Sequence, residues 1–574
     1  MFPAPAAGPV REAACPRTIR LTIRPITISD FSGGLVSNVD AADLEANQSP
    51  DCENVKFSPG RLIGRLGWVA WYTSVAANPD GIFFFYDSNE ARRIVVFANG
   101  NCYDYTNMAA PTLVETGSYT AGNKVCATVL NSKLYFSDGT TIHTDGGGGQ
   151  TGIRIYDPPT STSATALLLT SGTTGTIATP ACKQLTTYAG SLVLGNLKYV
   201  GGTTAKHSVL WSNVNDPTTI IGTNIFAVGG GQGGEINSLI PFGVSSVGVT
   251  PYRALFVGKS QIGIYQLKGS LSVSDLSEVL INDPVGVLNG DTVQYVQGLD
   301  GEGGFVAFLG TDYRVHWTDG IRSGELSSNI SDELSQAIAD RFSVSSTAKF
   351  YSVRNDDDQM YVLDTGVDGS GNTIHFCYDW SLKAWTRYRG WPSGYWCAVK
   401  DGSSQNALLC LDKNGTNLAQ ANVGLTDNGT TIAPYWKTGW LHGSDKHLDK
   451  NFKWLYVRFA TNSGNITYTA QSNQGEGHQA TGTQTITAAT DDSAVWDTAV
   501  WDSAVWAAGG ASNYTAYHRR SRLFVQTSGL DGSRETLKGT DVQVKLSTSN
   551  TGHFEVLGAM VEFQPRGRKR VQVA

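Results

Sequence analysis

The chain has 574 residues, of which 40% are hydrophobic and 16% charged, and its formal net charge at pH 7 is −7. This length and composition supply enough apolar material for several folded domains and exclude an intrinsically disordered protein. The negative charge argues against a protein that wraps nucleic acid, because phosphate binding needs clustered Lys and Arg.

Residues 1–28 predict an irregular arm that ends in a strand, IRLTIRPITI. Proline interrupts the region where a signal peptide needs its apolar core, and no stretch approaches 18 uninterrupted apolar residues, so we expect no membrane insertion. The eight cysteines lack a C-x-x-C pair and show no zinc-like spacing with His. We interpret them as buried thiols of a reducing compartment.

Residues 29–70 predict a clamp segment with a short helix. The stretch NVDAADLEANQSPDCENV offers Asp40 as a helix cap followed by an acidic first turn. Gly33 and Gly34 allow tight backbone turns, and Arg65 is expected to bind carbonyl groups or a carboxylate between strands. Two roles remain open for the segment, which either closes the first sheet of the next domain or contacts a neighbouring subunit.

Residues 71–425 consist of short apolar runs separated by turn signals such as Asn99-Gly100 and Asp138-Gly139. A long series of hairpins must protect its sheet edges, and radial repetition of four-stranded sheets achieves this. The pattern therefore predicts a β-propeller, ahead of a series of sandwiches or a β-helix, without fixing the number of blades. A helix is predicted from Ser331, in SDELSQAIADRF.

Residues 426–574 carry longer alternating strands, which predict a C-terminal β-sandwich-like domain. Within it, the tract SAVWDTAVWDSAVWA, residues 493–507, spaces Trp496, Trp501 and Trp506 five residues apart. This period fits neither a helix nor a strand. We interpret the three rings as anchors that fill pockets on a neighbouring subunit, with a groove of their own domain as the alternative.

Several local patterns resemble ligand-binding motifs without completing them. The glycine tract at residues 229–235 has dinucleotide-like spacing but is not followed by a helix start, so we expect a loop between blades. The acidic runs at 355–358 and 412–415 lack the remaining ligands of a calcium loop and fit hairpin tips. The basic run at 566–570 predicts a solvated tail, or a docking site for an acidic partner or a nucleic-acid backbone.

No nucleophile, paired-carboxylate or metal motif stands out in the sequence, so we predict no catalytic residues, no metal ion and no cofactor. Two carboxylates that meet only in the fold would leave no local trace, however. An enzyme that acts on polysaccharide therefore stays open as an alternative.

The segment from Asp30 to Trp68 resembles the opening of a family of bacteriophage tail proteins, the nozzle or head-to-tail stabilisation proteins of short-tailed phages. The shared pattern is a D-x-x-G-G element, a stretch that ends in N-Q, an N-V pair and a G-x-L-x-x-R-x-G turn. In this sequence the pattern falls on Asp30, Gly33, Gly34, Asn47, Gln48, Asn54, Val55, Gly60, Leu62, Arg65 and Gly67. Weaker similarities begin at Val209 and Thr311, and a further one ends in the W-T pair at Trp385 and Thr386.

The resemblance implies a non-enzymatic virion protein: a propeller-bearing subunit of a six-membered ring that extends the DNA channel, helps to retain the genome and allows its ejection. It implies as partners other copies of the chain, an adaptor or other tail proteins, and genomic DNA that passes without specific binding. The expected location is the virion tail, and the host cytoplasm during assembly. The alternatives are a tail fibre or tip protein that binds host surface glycans, and a polysaccharide-degrading tail enzyme.

Overall fold

A computed structural model describes the greater part of the chain. The described residues are 24–73, 75, 78–107, 111–144, 150–167, 169–171, 176–177, 179–220, 224–246, 249–272, 275–282, 284–297, 304–400, 406–413, 417–443, 446–460, 465–473, 479–484, 516–526, 534–548 and 553–565. They form a β-propeller of small antiparallel sheets joined to a β-sandwich, which confirms the predicted fold class.

The propeller comprises seven sheets within the described residues, numbered here as blades 1 to 7 in chain order. Blade 1 has the strands Pro79–Tyr86, Arg92–Ala98, Asn101–Asp104 and Thr112–Glu115. Blade 2 has Cys126–Leu130, Lys133–Ser137, Arg154–Tyr156 and Thr165–Ala166. Blade 3 has Ala181–Tyr188, Ser191–Lys198, Thr204–Trp211 and Ile225–Ala227. Blade 4 has Ile236–Ser246, Val249–Lys259, Ile264–Lys268 and Ser277–Asn282.

The last three blades complete the ring. Blade 5 has Gln294–Val296, Phe305–Leu309, Val315–Thr318 and Ser323–Glu325. Blade 6 has Tyr351–Asn355, Met360–Val367, Thr373–Asp379 and Ala384–Arg389. Blade 7 has Gly394–Lys400, Asn406–Asp412, Leu418–Ala421 and, from the other end of the propeller sequence, Trp68–Tyr72.

Blade 7 closes the ring by joining both ends of the propeller sequence. Trp68–Tyr72 runs antiparallel to Leu418–Ala421, with Trp68 opposite Ala421 and Tyr72 opposite Leu418. The first strand of each blade contacts the next blade, and the first strand of blade 7 contacts that of blade 1. Radial closure thus replaces the two long open edges that a linear array of hairpins would expose.

Short elements connect the blades or, in the case of Thr426–Asp427 and Thr430–Thr431, extend the sheet of blade 7 beyond Trp68–Tyr72. The minor strands are His143–Thr144, Gln150–Thr151, Leu169–Ser171, Thr176–Ile177, Thr219–Ile220, Thr426–Asp427 and Thr430–Thr431, and the 3₁₀ turns are Val228–Gly231 and Gly290–Thr292. The predicted helix is confirmed as α1, Ser331–Val344, which lies between blades 5 and 6 and buries Leu334 and Ile338. The glycine tract and the acidic run at 355–358 lie where predicted, the first in the loop between blades 3 and 4 and the second at a hairpin tip.

The sandwich consists of a large and a small sheet. The large sheet contains Arg24–Ile28, Val55–Ser58, Arg61–Gly64, Lys450–Ala460, Ala516–Arg522, Phe524–Gln526, Arg534–Gly539 and Glu555–Pro565. The small sheet contains Asp51–Glu53, Tyr435–Lys437, Ile466–Ser472, Gln479–Gln484 and Val542–Ser547. The propeller is therefore inserted between the N-terminal and C-terminal strands of the sandwich.

Two features of the clamp segment differ from the sequence prediction. Residues 41–47 form turns instead of a short helix, because Gln48–Ser49 is held extended as a parallel strand beside Gly34–Leu35. The segment 29–70 is also no separate unit, since Val55–Ser58 and Arg61–Gly64 belong to the large sheet and Trp68–Tyr72 to blade 7. The clamp segment therefore contributes strands to both the propeller and the sandwich.

One hydrophobic cluster runs through both domains. It contains sandwich residues such as Phe452 and Val561, the α1 residues Leu334 and Ile338, and Tyr361 of blade 6, all completely buried. Because close-packed cores transmit strain instead of absorbing it, this continuity couples the two domains mechanically. Among the described residues, no helix is both long and apolar enough to cross a membrane.

Candidate functional site

The motif residues of the clamp segment meet the last strand of blade 6. We call this contact, between residues 30–67 and Ala384–Arg389 together with Asp427, the junction. The backbone amide of Asn54 donates to the carbonyl of Arg387 at 2.8 Å, and the hydroxyl of Thr386 donates to the carbonyl of Val55 at 2.8 Å. The junction therefore continues blade 6 into the sandwich by direct hydrogen bonds.

Asp30 organises the first part of the junction. Its carboxylate accepts hydrogen bonds from the amide and hydroxyl of Ser32, at 3.0 and 2.8 Å, and from the side-chain amide of Asn47 at 3.3 Å. The slight burial of Asp30 would raise the pKa of its carboxyl group, but these hydrogen bonds outweigh burial and lower it. Gln48 accepts from the amide of Glu45 at 3.1 Å, which fixes the turn beside Asp30.

Two glycines are required by the close approach of other backbone segments. Gly34 has φ +67°, and a Cβ there would lie 2.8 Å from the Cβ of Ala384. A Cβ on Gly67 would lie 1.9 Å from the carbonyl oxygen of Thr426, which no side chain can tolerate. These two motif positions thus set the distance between the clamp segment and the propeller.

Arg65 lies at the centre of the junction and is only 4% exposed. Its guanidinium donates to both carboxylate oxygens of Asp427, at 2.8 and 2.6 Å, to Oδ1 of Asn54 at 2.8 Å, and to the carbonyl of Leu66 at 2.9 Å. It also donates to the carbonyl of Arg389. The contact with carbonyls and a carboxylate that the sequence predicts for Arg65 is therefore present.

Aromatic rings complete the surroundings of Arg65. The guanidinium carbon lies 5.7 Å from the ring centroids of both Tyr388 and Trp391. A planar, weakly hydrated guanidinium tolerates such an environment better than an ammonium group would. The surroundings of residue 65 therefore suit the guanidinium of arginine better than the ammonium group of lysine.

Asn54 is the second central residue of the junction. Its backbone is left-handed, with φ 59°, and it is almost completely buried. Its Oδ1 accepts from the backbone amide of Arg389 at 2.8 Å as well as from Arg65, so a single amide oxygen joins the sandwich strand to blade 6.

A network of charges surrounds Arg387 at the edge of the junction. Its guanidinium contacts Asp51 at 2.9 Å and Glu53 at 3.2 Å in the sandwich, and also Glu333 of α1. Burial alone would lower the pKa of Arg387, but the nearby negative groups more than compensate, so its pKa lies above the ordinary value. Arg387 thus ties the sandwich, blade 6 and α1 together.

The remaining motif residues shape the sandwich strands. Gly60, with φ +68°, forms the turn between Val55–Ser58 and Arg61–Gly64. Leu62 is completely buried in the shared core. The candidate anchors Trp496, Trp501 and Trp506 lie outside the described residues, as do the arm before residue 24 and the basic run at 566–570.

No motif in the sequence indicates Asp427, Arg387 or Glu333 as junction partners. Asp427 is 362 residues from Arg65 in the chain, and neither residue lies in a motif that points to the other. The W-T pair is a sequence feature that could have indicated the junction. The indole of Trp385 donates to the carbonyl of Leu326 at 2.9 Å, and the hydroxyl of Thr386 donates to the sandwich.

A cleft of about 340 Å³ opens between the inner strands of blades 4 to 7. Its polar lining includes Gln294, Arg354 and Asp356, and Trp396 forms part of its wall. Arg354 is held by Asp356 at 2.7 Å and by the carbonyl of Tyr295 at 2.8 Å. Among the described residues, no group of three or more His, Cys, Asp or Glu side chains is placed to hold a metal ion.

No protein-family model matches the chain, and no curated protein is similar to it at a significant level. Among solved structures, the chain is similar to the crystal structure of BBS1N in complex with ARL6DN, soaked with lead, with 12% sequence identity and a TM-score of 0.35. That match covers 63% of this chain and 99% of that chain.

Proposed function

We propose that the protein is a structural subunit of a bacteriophage tail that assembles into a ring of the nozzle type, extends the DNA channel, helps to retain the genome and allows its ejection. The observation that supports this proposal most is the junction. All the motif residues that carry the resemblance to nozzle proteins lie in it or in the strands that form it. The motif therefore has a physical purpose in this chain, which is to fix a propeller rigidly to a sandwich.

A rigid junction suits a subunit that bears load. The buried Arg65–Asp427 pair, the Arg387 network and the continuous core give the two domains one fixed geometry. A ring that withstands the pressure of packaged DNA needs subunits that do not hinge, since a head-to-tail ring closes only at a defined rotation.

The tryptophan tract supplies the proposed contact between subunits. It lies between the sandwich strands Gln479–Gln484 and Ala516–Arg522, so its attachment points belong to the sandwich. Large aromatic side chains are enriched among the residues that dominate binding energy at interfaces. We assign Trp496, Trp501 and Trp506 as anchors on a neighbouring copy, and an adaptor or another tail protein as the partner above or below the ring.

The test replaces Trp496, Trp501 and Trp506 together with serine and measures particle mass in solution. The native chain should give closed assemblies of about six copies, and the variant should give folded monomers with unchanged far-ultraviolet circular dichroism. The matched control replaces three exposed apolar residues of the propeller, Leu113, Val214 and Ile321, with serine and should still assemble.

A native chain that stays monomeric at every concentration refutes the ring. If the tryptophan variant unfolds instead of dissociating, the three tryptophans belong to the hydrophobic core of their own domain, and their assignment as anchors fails. The existence of the ring is then decided by the particle mass of the native chain alone.

The cleft between the inner strands of blades 4 to 7 favours a second candidate, a tail protein that binds host surface glycans. Gln294, Arg354 and Asp356 present amide, guanidinium and carboxylate groups of the kind that bind sugar hydroxyls. Glycan-array binding that disappears on Arg354→Ala would support this candidate over the nozzle.

A further inference from the structure

The two domains differ in charge. Residues 71–425, which form the propeller, contain 30 Asp and Glu against 21 Lys and Arg. The sandwich strands Lys450–Ala460 and Ala516–Arg522 are basic by contrast, with the second reading AYHRRSR. A basic sheet surface on an acidic protein needs an explanation other than overall solubility.

The outer face of the Lys450–Ala460 strand carries an aromatic and basic row. Leu455, Val457 and Phe459 point into the sandwich core, so the alternate residues Trp454, Tyr456 and Arg458 lie on the outer face. Trp454 and Tyr456 are half-buried, and Arg458 is exposed.

The neighbouring strand supplies further basic residues in register. Trp454 lies opposite Arg522, Tyr456 opposite Arg520, and Arg458 opposite His518. Arg522 is exposed, and its guanidinium carbon lies 5.8 Å from the ring centroid of Trp454.

The other side of the row is nearly uncharged. The Glu555–Pro565 strand places Glu562 opposite Trp454, Met560 opposite Tyr456 and Gly558 opposite Arg458. Glu562 therefore offsets only part of the positive charge, and the surface as a whole stays basic.

This arrangement has the chemistry of a single-stranded nucleic-acid platform. Such platforms combine arginines that bind phosphates with aromatic rings on which bases stack, and they need no base-specific hydrogen bonds. Residues on one face of a strand are about 7 Å apart, so the row repeats along the direction in which an extended strand would lie. An acidic polypeptide offers carboxylates to the arginines but lacks the regular series of planar bases that stack on aromatic rings.

We propose that the outer face of the large sheet, formed by Trp454, Tyr456, Arg458 and Arg522, binds single-stranded nucleic acid without sequence preference. The inference does not depend on the ring, because one subunit carries the whole surface. Its failure would leave the proposed function intact, and the failure of the ring would leave this surface intact.

The test measures binding of the full-length chain to a labelled oligothymidylate by fluorescence anisotropy, at several salt concentrations. The oligothymidylate has about 20 nucleotides, a length that spans the surface. Arg458→Glu with Arg522→Glu should weaken binding at least tenfold. It should also reduce the slope of log K against log salt by about 1.4, since each phosphate contact to a single strand contributes about 0.7. Trp454→Ala should weaken binding at least about fivefold through lost stacking.

The matched control changes the same number of charges on the propeller, with Lys206→Glu and Lys268→Glu, two exposed lysines. It should bind as the native chain does, and Arg458→Lys with Arg522→Lys should retain most of the affinity.

Three results would overturn the proposal: no binding at low salt, equal losses in the test and control variants, or competition by polyglutamate as strong as by unlabelled oligothymidylate with no effect of Trp454→Ala. The last result would identify an acidic protein, instead of nucleic acid, as the binding partner of this surface.

Discussion

Removal of the Arg65 guanidinium tests the junction most severely. The side chains of Arg65 and Asp427 are 1% and 11% exposed, so Arg65→Met leaves a buried carboxylate without its counter-charge. It also removes one of the two donors to Oδ1 of Asn54, one of the two donors to the carbonyl of Leu66, and the hydrogen bond from Arg65 to the carbonyl of Arg389. Breaking a buried ion pair from one side costs about 3 to 5 kcal/mol.

Because a chain of several domains does not unfold in two states, local opening is the better observable. We expect amide hydrogen exchange in residues 54–67 and 384–390 of Arg65→Met to accelerate by about two to three and a half orders of magnitude, since 1.4 kcal/mol is a factor of ten. Hydrogen exchange with mass spectrometry measures this directly.

The matched control is Arg322→Met, which breaks a 2.9 Å ion pair with Asp319 whose arginine is 70% exposed. An exposed pair contributes about 0 to 1 kcal/mol, so exchange in blade 5 should change by a small factor. An acceleration below tenfold at the junction of Arg65→Met, or one equal to that of the control, would refute the reasoning.

Three further predictions concern stability and reactivity. Gly67→Ala should prevent the approach of Thr426 and lower the melting temperature by several degrees, whereas Gly369→Ala, with no atom within 4 Å of the added Cβ, should leave it unchanged. Burial alone would raise the pKa of Asp138, but hydrogen bonds from Thr residues lower it to about 2. The lowered pKa of Asp138 therefore contributes about 2 kcal/mol to the free energy of unfolding. This contribution is complete above the unfolded pKa near 4 and is lost as the pH falls through about 2. Asp138→Asn should remove the corresponding part of the acid dependence of unfolding. Burial raises the pKa of the Cys52 thiol to about 12, so iodoacetamide at about pH 8 should modify Cys52 only after denaturation, as mass spectrometry of the native protein can show.

Local signals in the sequence were sufficient to predict those parts of the structure that depend on residues close together in the chain. Asn99 and Gly100 both have positive φ, 51° and 79°, as their hairpin turn requires. The helix predicted from Ser331 is present, and Leu334 and Ile338 are buried on one of its faces. A tight turn or one helix face needs only a few adjacent residues to specify it.

Distant pairing could not be predicted in the same way. The strand Trp68–Tyr72 completes blade 7 with residues some 350 positions later, and no pattern in either segment indicates the other. The helix predicted after Asp40 failed for a related reason. A stretch this short gains little from helical hydrogen bonds, so the tertiary pairing of Gln48 with Gly34 decides its conformation.

The proposed assembly is tested most directly by electron microscopy of the purified full-length chain. Negatively stained class averages should show closed rings with a central hole and about six-fold symmetry. Compact single particles, or elongated trimers of the fibre type, would contradict the account.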